Sequence, residues 1–445
     1  MSNRLPIALL ILSIIIFSYI FFKSEIIFDG EKRWYYLIYY KIAGILIVFS
    51  IITFYFNKTL KTYLMISILS FIFSIYLFQT YLTISYGGVT GIRFIEKKIK
   101  RANEEGVKYD FRDKFEIYTE LKKNKYNNLK TAVSPQRHIN KKLDIFPLSG
   151  ASNSPTLGCN ENGYYTIYQS DRYGFNNLDS EWDLKEIEFF LIGDSFVLGN
   201  CVNRPHDISS VLRNLSNKPV VNIGYQNNGP LLEFAGLREY IQPEVKNIIW
   251  IYYETSDLEN LSQELTSETL KKYIEDLNFK QDLIYKQNEI DKIIIKLIDD
   301  ENKTISQELF ENNFKFKVRK FIELWNVREL ILYKLHRSGS NTLFNPPMEF
   351  SKIIELARNL ANKNNSKFHF VYLPSYKRYA GQNNDQEYNF IKKTINDLNI
   401  NFIDIDKEVF KKENDPLKLF PFKLSGHYTI EGYRKVTEAI YNKAQ

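Results

Sequence analysis

Residues 186–199 read EIEFFLIGDSFVLG. The first half, Glu186–Ile192, is a β-branched and aromatic run that is apolar on both faces of an extended chain. It breaks off at Gly193-Asp194-Ser195 and passes into a further apolar segment. A run of this kind is expected as a strand of a parallel sheet covered by helices on either side. Four more follow: PVVNI at 219–223, NIIWIYY at 247–253, KFHFVYL at 367–373 and NFIDI at 401–405. Helical stretches separate them, which predicts an α/β fold with helices on both faces of a central parallel sheet of about five strands. Ser195 then stands at a strand end and at a helix start, where backbone N–H groups are placed to receive an oxyanion.

One long interval, residues 258–345, holds no strand pattern but several amphipathic helical stretches. It is either a dimerisation arm or a helical insertion covering the C-terminal edge of the sheet. The cover is preferred, because active sites of such sheets open there. Upstream, residues 126–185 are loop-rich, with Pro135, Pro147 and Pro155 and strand-like pieces such as YYTIY. Residues 89–145 contain a charged helical linker that follows a Gly87-Gly88 break, so the α/β domain is expected over 146–445.

Residues 1–88 differ in composition. Three apolar runs, Leu5–Phe22, Trp34–Phe56 and Tyr63–Ser85, are each about the length that crosses a ~30 Å hydrocarbon layer. Trp34-Tyr35-Tyr36 and Tyr39-Tyr40 suit an interfacial aromatic belt, and Lys41 is placed to snorkel toward the headgroups. No small-residue cleavage site precedes Lys23, so the first run is expected to remain as an anchor. The basic residues flanking the runs do not decide the orientation.

The chain has two cysteines, Cys159 and Cys201, both near the GDS segment; an even pair suits a disulfide in an oxidising compartment. The large domain is therefore expected outside the cytoplasm, with the chain threaded several times through the inner (cytoplasmic) membrane. The formal net charge of +7 over 445 residues comes from lysines interspersed with acids. That is a pattern of solvated helix faces and argues against nucleic acid as a partner. Zinc-ligand spacing and a phosphate-binding glycine loop are both missing, so neither metal nor cofactor is expected.

A serine nucleophile needs a base. His138 and His206 fall in loops, His336 on a basic helix and His369 inside a strand, where a hydrogen-bonded core role is expected. His427, in LSGHYTIEGYRKV, lies in a loop after the last strand and just before a helix, which suits it to reach Ser195.

IGDSFVLG, VVNIGYQNNGP, IIWIYYETSDLENL and GHYTIEGYRKV occur in that order. They resemble the four blocks of the SGNH (GDSL-type) hydrolase superfamily, above all membrane-anchored bacterial members in which DRYGFNN, here Asp171–Asn177, precedes the first block. The resemblance covers roughly residues 145–445. It implies a flavodoxin-like three-layer sandwich with Ser195 as nucleophile and backbone oxyanion donor. It makes Gly224 a second backbone donor and His427 the general base. Asp194 is then structural, and Tyr372, Pro374 and Ser375 line a pocket.

The chain departs from this pattern twice. Thr255-Ser256-Asp257 replaces Gly-Asn-Asp, so Ser256 is at best a partial substitute for the oxyanion-donating Asn. Ser425 and Leu424 occupy the positions that usually hold the acid orienting the histidine. Asp415 or a backbone carbonyl takes that part, or Ser195 and His427 work as a dyad. The implied function is a membrane-anchored serine esterase or O-acyltransferase acting, through an acyl-enzyme on Ser195, on acyl groups of cell-envelope glycans or lipids. The alternative is a degenerate, non-catalytic module that binds a glycan or a partner protein.

Overall fold

The structure is a computed structural model that describes residues 3–28, 30, 33–86, 91–310, 314–338, 344–381 and 385–445. The Gly87-Gly88 break lies outside the described residues. Two compact units form: Met1–Ile92 with Lys317–Arg337, and Arg93–Phe316 with Ser338–Gln445.

The first unit holds α1 (Arg4–Phe21), α2 (Arg33–Ile52) and α3 (Lys58–Tyr86). Three helices, over Arg4–Ile27, Tyr36–Tyr55 and Lys58–Ile84, are long and apolar enough to cross a membrane. They leave Ile11, Leu12, Ile15, Ile45, Phe71 and Phe73 exposed, an outward apolar surface that suits lipid and points to membrane association. Ser13 and Ser50, each donating to the carbonyl four residues back, meet at 3.1 Å and join α1 to α2. The segment 317–337 belongs here as well. Tyr76 Oη donates to the Ile322 carbonyl at 2.9 Å, Asn326 Nδ2 to Thr83 Oγ1 at 3.0 Å, and the Val327 N–H to Gln79 Oε1 at 3.2 Å. Part of the interval expected to cover the sheet thus packs with the apolar helices.

In the second unit the charged linker forms α4 (Gly91–Glu104) and α5 (Lys114–Asn124), the latter opened by a capping box of Asp113 and Glu116. A small sheet follows, from β1 (Lys130–Thr131), β2 (Pro155–Leu157) and β3 (Ile167–Gln169) in that order. The main sheet is built of β4 (Ile187–Gly193), β5 (Val220–Asn222), β6 (Val245–Tyr253), β7 (Lys367–Leu373) and β8 (Asn401–Asp404). Its order is β5-β4-β6-β7-β8 and every pairing is parallel.

The strands are apolar on both faces because both faces are covered. Phe190, Ile192, Ile248, Trp250, Tyr252 and Phe370 enter one core, while Phe189, Leu191, Ile249, Ile251, Val371 and Ile403 enter the other. The chain runs out from β4 to β5 and returns to the other side of β4 for β6. The end of β4 is therefore the point where the strand order reverses, the place where such sheets open a crevice. From it extends the short helix α6 (Ser195–Leu198), followed by α7 (Ile208–Ser216) and α8 (Pro230–Tyr240).

The DRYGFNN stretch explains itself in this frame. The buried Asp171 carboxylate accepts from the Tyr173 and Phe175 N–H groups, from Asn177 Nδ2 and from Trp182 Nε1, all at 2.8–2.9 Å. Asn177 Nδ2 also donates to the Asn222 carbonyl, and Asn177 Oδ1 accepts the Asn222 N–H, each at 2.8 Å, so it clamps the end of β5. Asn176 Nδ2 donates to the Leu198 carbonyl at 2.8 Å, and Asn222 Nδ2 to the Val197 carbonyl at 2.6 Å. The motif holds the turn after β4 from behind.

Asn177→Ala strips three buried groups of their partner. It should lower stability by about 2–4 kcal/mol, read as a fall in the thermal unfolding midpoint of the detergent-solubilised protein. A midpoint within a degree of the parent would contradict this account of the motif.

Candidate active site

The turn that carries Ser195 is tight for steric reasons. A Cβ on Gly193 would lie 2.6 Å from the Ile251 carbonyl oxygen and 2.4 Å from Val197 Cγ2, so only glycine fits where β4 meets α6. Asp194 caps α6, its carboxylate accepting the Phe196 N–H at 2.9 Å. Burial pushes the Asp194 carboxyl up to about 6, opposed chiefly by that hydrogen bond. The aspartate orders the turn, its carboxylate also within hydrogen-bonding reach of the Ser195 hydroxyl, which still needs a base.

His427 supplies that base geometrically. Its Nε2 lies 2.8 Å from Ser195 Oγ across 232 residues of sequence. Its Nδ1 lies 3.1 Å from Glu161 Oε2, and the same oxygen accepts the His427 backbone N–H at 2.5 Å. A carboxylate at Nδ1 fixes the tautomer with the proton there, so Nε2 presents a lone pair to the serine. The Phe196 ring covers the imidazole at 4.7 Å and stacks on Tyr253 at 4.2 Å. Burial alone would lower the His427 pKa; the Glu161 charge and hydrogen bond, helped by Asp194, outweigh it and raise it. Burial likewise works to raise Glu161, but the facing imidazole and Lys98 hold its carboxyl below the ordinary range.

Glu161 has no counterpart among the expected acids. Asp415 lies on the surface, capping the Leu417 N–H and pairing with Lys423 at 2.7 Å. The orienting group is a side chain, neither a carbonyl nor missing. It was missed in the sequence, and only the structure gives meaning to two local features. Glu161 lies two residues after Cys159, and Gly426 precedes His427; a Cβ on Gly426 would lie 2.5 Å from Glu161 Oε2.

The two further oxyanion donors expected from sequence are otherwise engaged. The Gly224 N–H donates to Asn222 Oδ1 at 2.8 Å. Gly224 is required because its missing Cβ would come 2.4 Å from Val197 Cβ. Ser256 Oγ donates to Asp257 Oδ1 at 3.0 Å, and Asp257 Oδ2 accepts the Tyr253 N–H at 2.8 Å. Thr255 keeps the left-handed backbone that a glycine would favour, with φ 77°, its N–H held by Glu387 Oε1 at 2.8 Å. Tyr372 does not line a pocket: it is fully buried, its hydroxyl accepting from Arg378 at 3.2 Å. Pro374 and Ser375 are tied into the same turn, the Pro374 carbonyl to Tyr428 Oη at 2.9 Å and the Ser375 N–H to Glu254 at 2.9 Å.

Two further histidines, His369 and His138, are engaged elsewhere. His369 lies in β7 between Asn247 and Asn401, and His138 is fully buried beside Phe146; burial lowers each to about 4.

Cys159 and Cys201 form a disulfide across 42 residues. It joins the loop of Glu161 to the segment just beyond α6, and Cys201 Sγ lies 3.6 Å from His427 Nδ1. Cys159, Cys201 and His427 place ligand-type atoms within 4.8 Å of one another. With both sulfurs in the disulfide they offer no thiolate to a metal.

No family model matches the chain, and no curated protein matches it. Among solved structures it is similar to a "lipolytic protein of G-D-S-L family" from Desulfitobacterium hafniense DCB-2. The identity is 15%, over 58% of this chain and 99% of that one, with a TM-score of 0.31.

The geometry separates the two acids. Glu161→Gln should slow modification of Ser195 by a fluorophosphonate by about 10²–10⁴-fold, while Asp415→Asn leaves the rate unchanged. The reactive imidazole is neutral, and Glu161 raises its pKa. The rate should therefore climb through an acid limb above the usual histidine value, and Glu161→Gln should move that limb to lower pH. An unmoved limb would exclude Glu161 as the orienting acid. Removing the disulfide by Cys159→Ser with Cys201→Ser should cost up to about 4 kcal/mol of stability for a loop of this length, measured by thermal unfolding.

Proposed function

We propose that this protein is a membrane-anchored serine esterase or O-acyltransferase of the SGNH type. It works with its α/β domain outside the cytoplasm, on acyl groups of cell-envelope glycans or lipids. The observation that carries the reading is the line Ser195 Oγ, His427 Nε2, His427 Nδ1, Glu161 Oε2, with separations of 2.8 and 3.1 Å at the point where the strand order reverses. Residues 161, 195 and 427 come from three separate segments of the chain, and a chance meeting with the right atoms facing is improbable on geometry alone. The apolar helices support an enzyme held at a membrane, and a disulfide beside the site supports an oxidising compartment.

In the proposed mechanism His427 takes the Ser195 proton as the oxygen attacks an ester carbonyl. It then returns the proton to the departing alcohol, leaving an acyl-serine. Glu161 stabilises the imidazolium in between. Water or a sugar hydroxyl, deprotonated by the same imidazole, releases the acyl group. The oxyanion is met by the backbone at the start of α6, and neither Gly224 nor Ser256 contributes in the observed arrangement.

That engagement of the two donors favours the second reading, a binding module that has lost turnover. Full-length protein treated with a serine-directed fluorophosphonate separates them. The enzyme reading expects one adduct by intact mass, absent from Ser195→Ala. No adduct in folded protein would leave the binding module. Because its hydroxyl is turned to Asp257, Ser256→Ala should change the labelling rate by less than about threefold; a loss of 10²-fold or more would show it to be an oxyanion donor.

A further inference from the structure

The segment that follows the third apolar helix in the chain is built into the site. Arg101, on α4, donates from Nη1 to the Phe422 and Lys423 carbonyls at 2.8 and 2.7 Å, in the loop that leads to His427. Ala102 is fully buried against Phe422 and Leu424, and Tyr109 meets the Phe422 ring at 5.9 Å. The same segment grips the other loop. Tyr109 Oη donates to the Asn160 carbonyl at 3.2 Å, Asn160 Nδ2 to the Asp110 carbonyl at 2.6 Å, and the Asp110 N–H to the Gly163 carbonyl at 2.8 Å. Those bonds bracket Glu161 on both sides. Lys98, three residues before Arg101 on α4, is only 7% exposed and within electrostatic reach of both Glu161 and His427.

A buried ammonium is costly unless something faces it. Burial does lower the Lys98 pKa, and the Glu161 charge works against that fall. Loop residues alone would hold the acid and base only loosely, since a loop's own contacts leave it mobile. A helix clamped to both loops removes that freedom.

We infer that residues 98–110 are a positioning strap for the acid–base pair, with Arg101 fixing the His427 loop and Lys98 holding the Glu161 carboxylate in its anionic, His-facing state. The inference rests on the proposed serine chemistry and adds to it that the juxtamembrane segment is part of the site. His427 is faced by Glu161 from the 159–163 loop, by Asp194 from the end of β4 and by Lys98 from α4. The carboxylates raise its pKa and Lys98 lowers it. Removing the Lys98 charge therefore moves the acid limb upward, the opposite of Glu161→Gln.

The test uses full-length protein in detergent, with the fluorophosphonate labelling rate followed against pH. Lys98→Met keeps the apolar stem and should shift the acid limb to higher pH, while Lys98→Arg keeps it in place. Arg101→Gln, acting on loop position, should cut the plateau rate roughly 10–100-fold without moving the limb. A second readout needs no turnover: the His427 ring ¹³Cε1 titration in histidine-labelled protein, assigned with His427→Gln. An upward shift in Lys98→Met supports the strap even in protein that takes no label, which would itself sink only the enzyme reading. If the titration and the labelling profile of Lys98→Met both match the parent and Arg101→Gln labels at the parent rate, the strap is overturned. Variants that unfold before labelling would be judged on Lys98→Arg, whose failure to keep the parent profile also overturns it.

Discussion

The site depends on one carboxylate oxygen. Glu161 Oε2 is shared between the backbone N–H and the ring Nδ1 of His427, so it sets both the path of the chain at 427 and the direction of the imidazole. Glu161 lies outside the main sheet, in a loop between two short strands. Several surrounding features hold it in place. The disulfide fixes the loop two residues away, Gly426 clears space for the carboxylate, and Asn160 and Gly163 anchor its flanks. An acid placed two or three residues before the histidine would need none of this, because the chain would carry both groups together.

The serine is held by different means. Its turn projects from β4, whose two faces are buried, so its position follows from the sheet itself. The remaining freedom, the path of α6, is removed by Asn176 and Asn222, whose side chains reach backbone carbonyls of α6. They are backed by the Asp171 hub, which holds the Asn177 and Trp182 side chains as well as two backbone N–H groups. Backbone hydrogen bonds fix a turn whatever the neighbouring side chains, which is why a polar motif far from the chemistry accompanies the GDS segment. Burial pushes Asp171 up to about 6, with the Asn177 and Trp182 hydrogen bonds the strongest opposition.

Much of this was legible in the sequence, for physical reasons that differ between residues. Strands buried on both faces must be apolar on both, so the five runs announced themselves. Ser195 was marked by the abrupt end of the first run, and His427 by its place after the last. Glu161 was not, because hydrogen bonding across 266 residues leaves no periodic trace. Asp415 was nearer in sequence, but a surface lysine already occupies it. Ser256 and Gly224 were singled out by their blocks, yet which way a hydroxyl or an N–H points is decided by neighbours, here Asp257 and Asn222. The departure of 317–337 from its expected cover role was hidden for another reason. An amphipathic helix looks the same whether its apolar side meets a sheet or other helices.

That excursion bears on how the molecule is made. The polypeptide of the α/β unit is interrupted: it leaves after Phe316 and resumes at Ser338, with β7, β8 and His427 still to come. Emerging from a ribosome, the chain exposes Ser195 more than two hundred residues before His427 exists. During that interval the serine has no imidazole beside it, and the contacts of Ser195, His427 and Glu161 close only when the later strands have added to the sheet edge. Synthesis order thereby completes the surroundings of Ser195 last, once the sheet that carries them is in place.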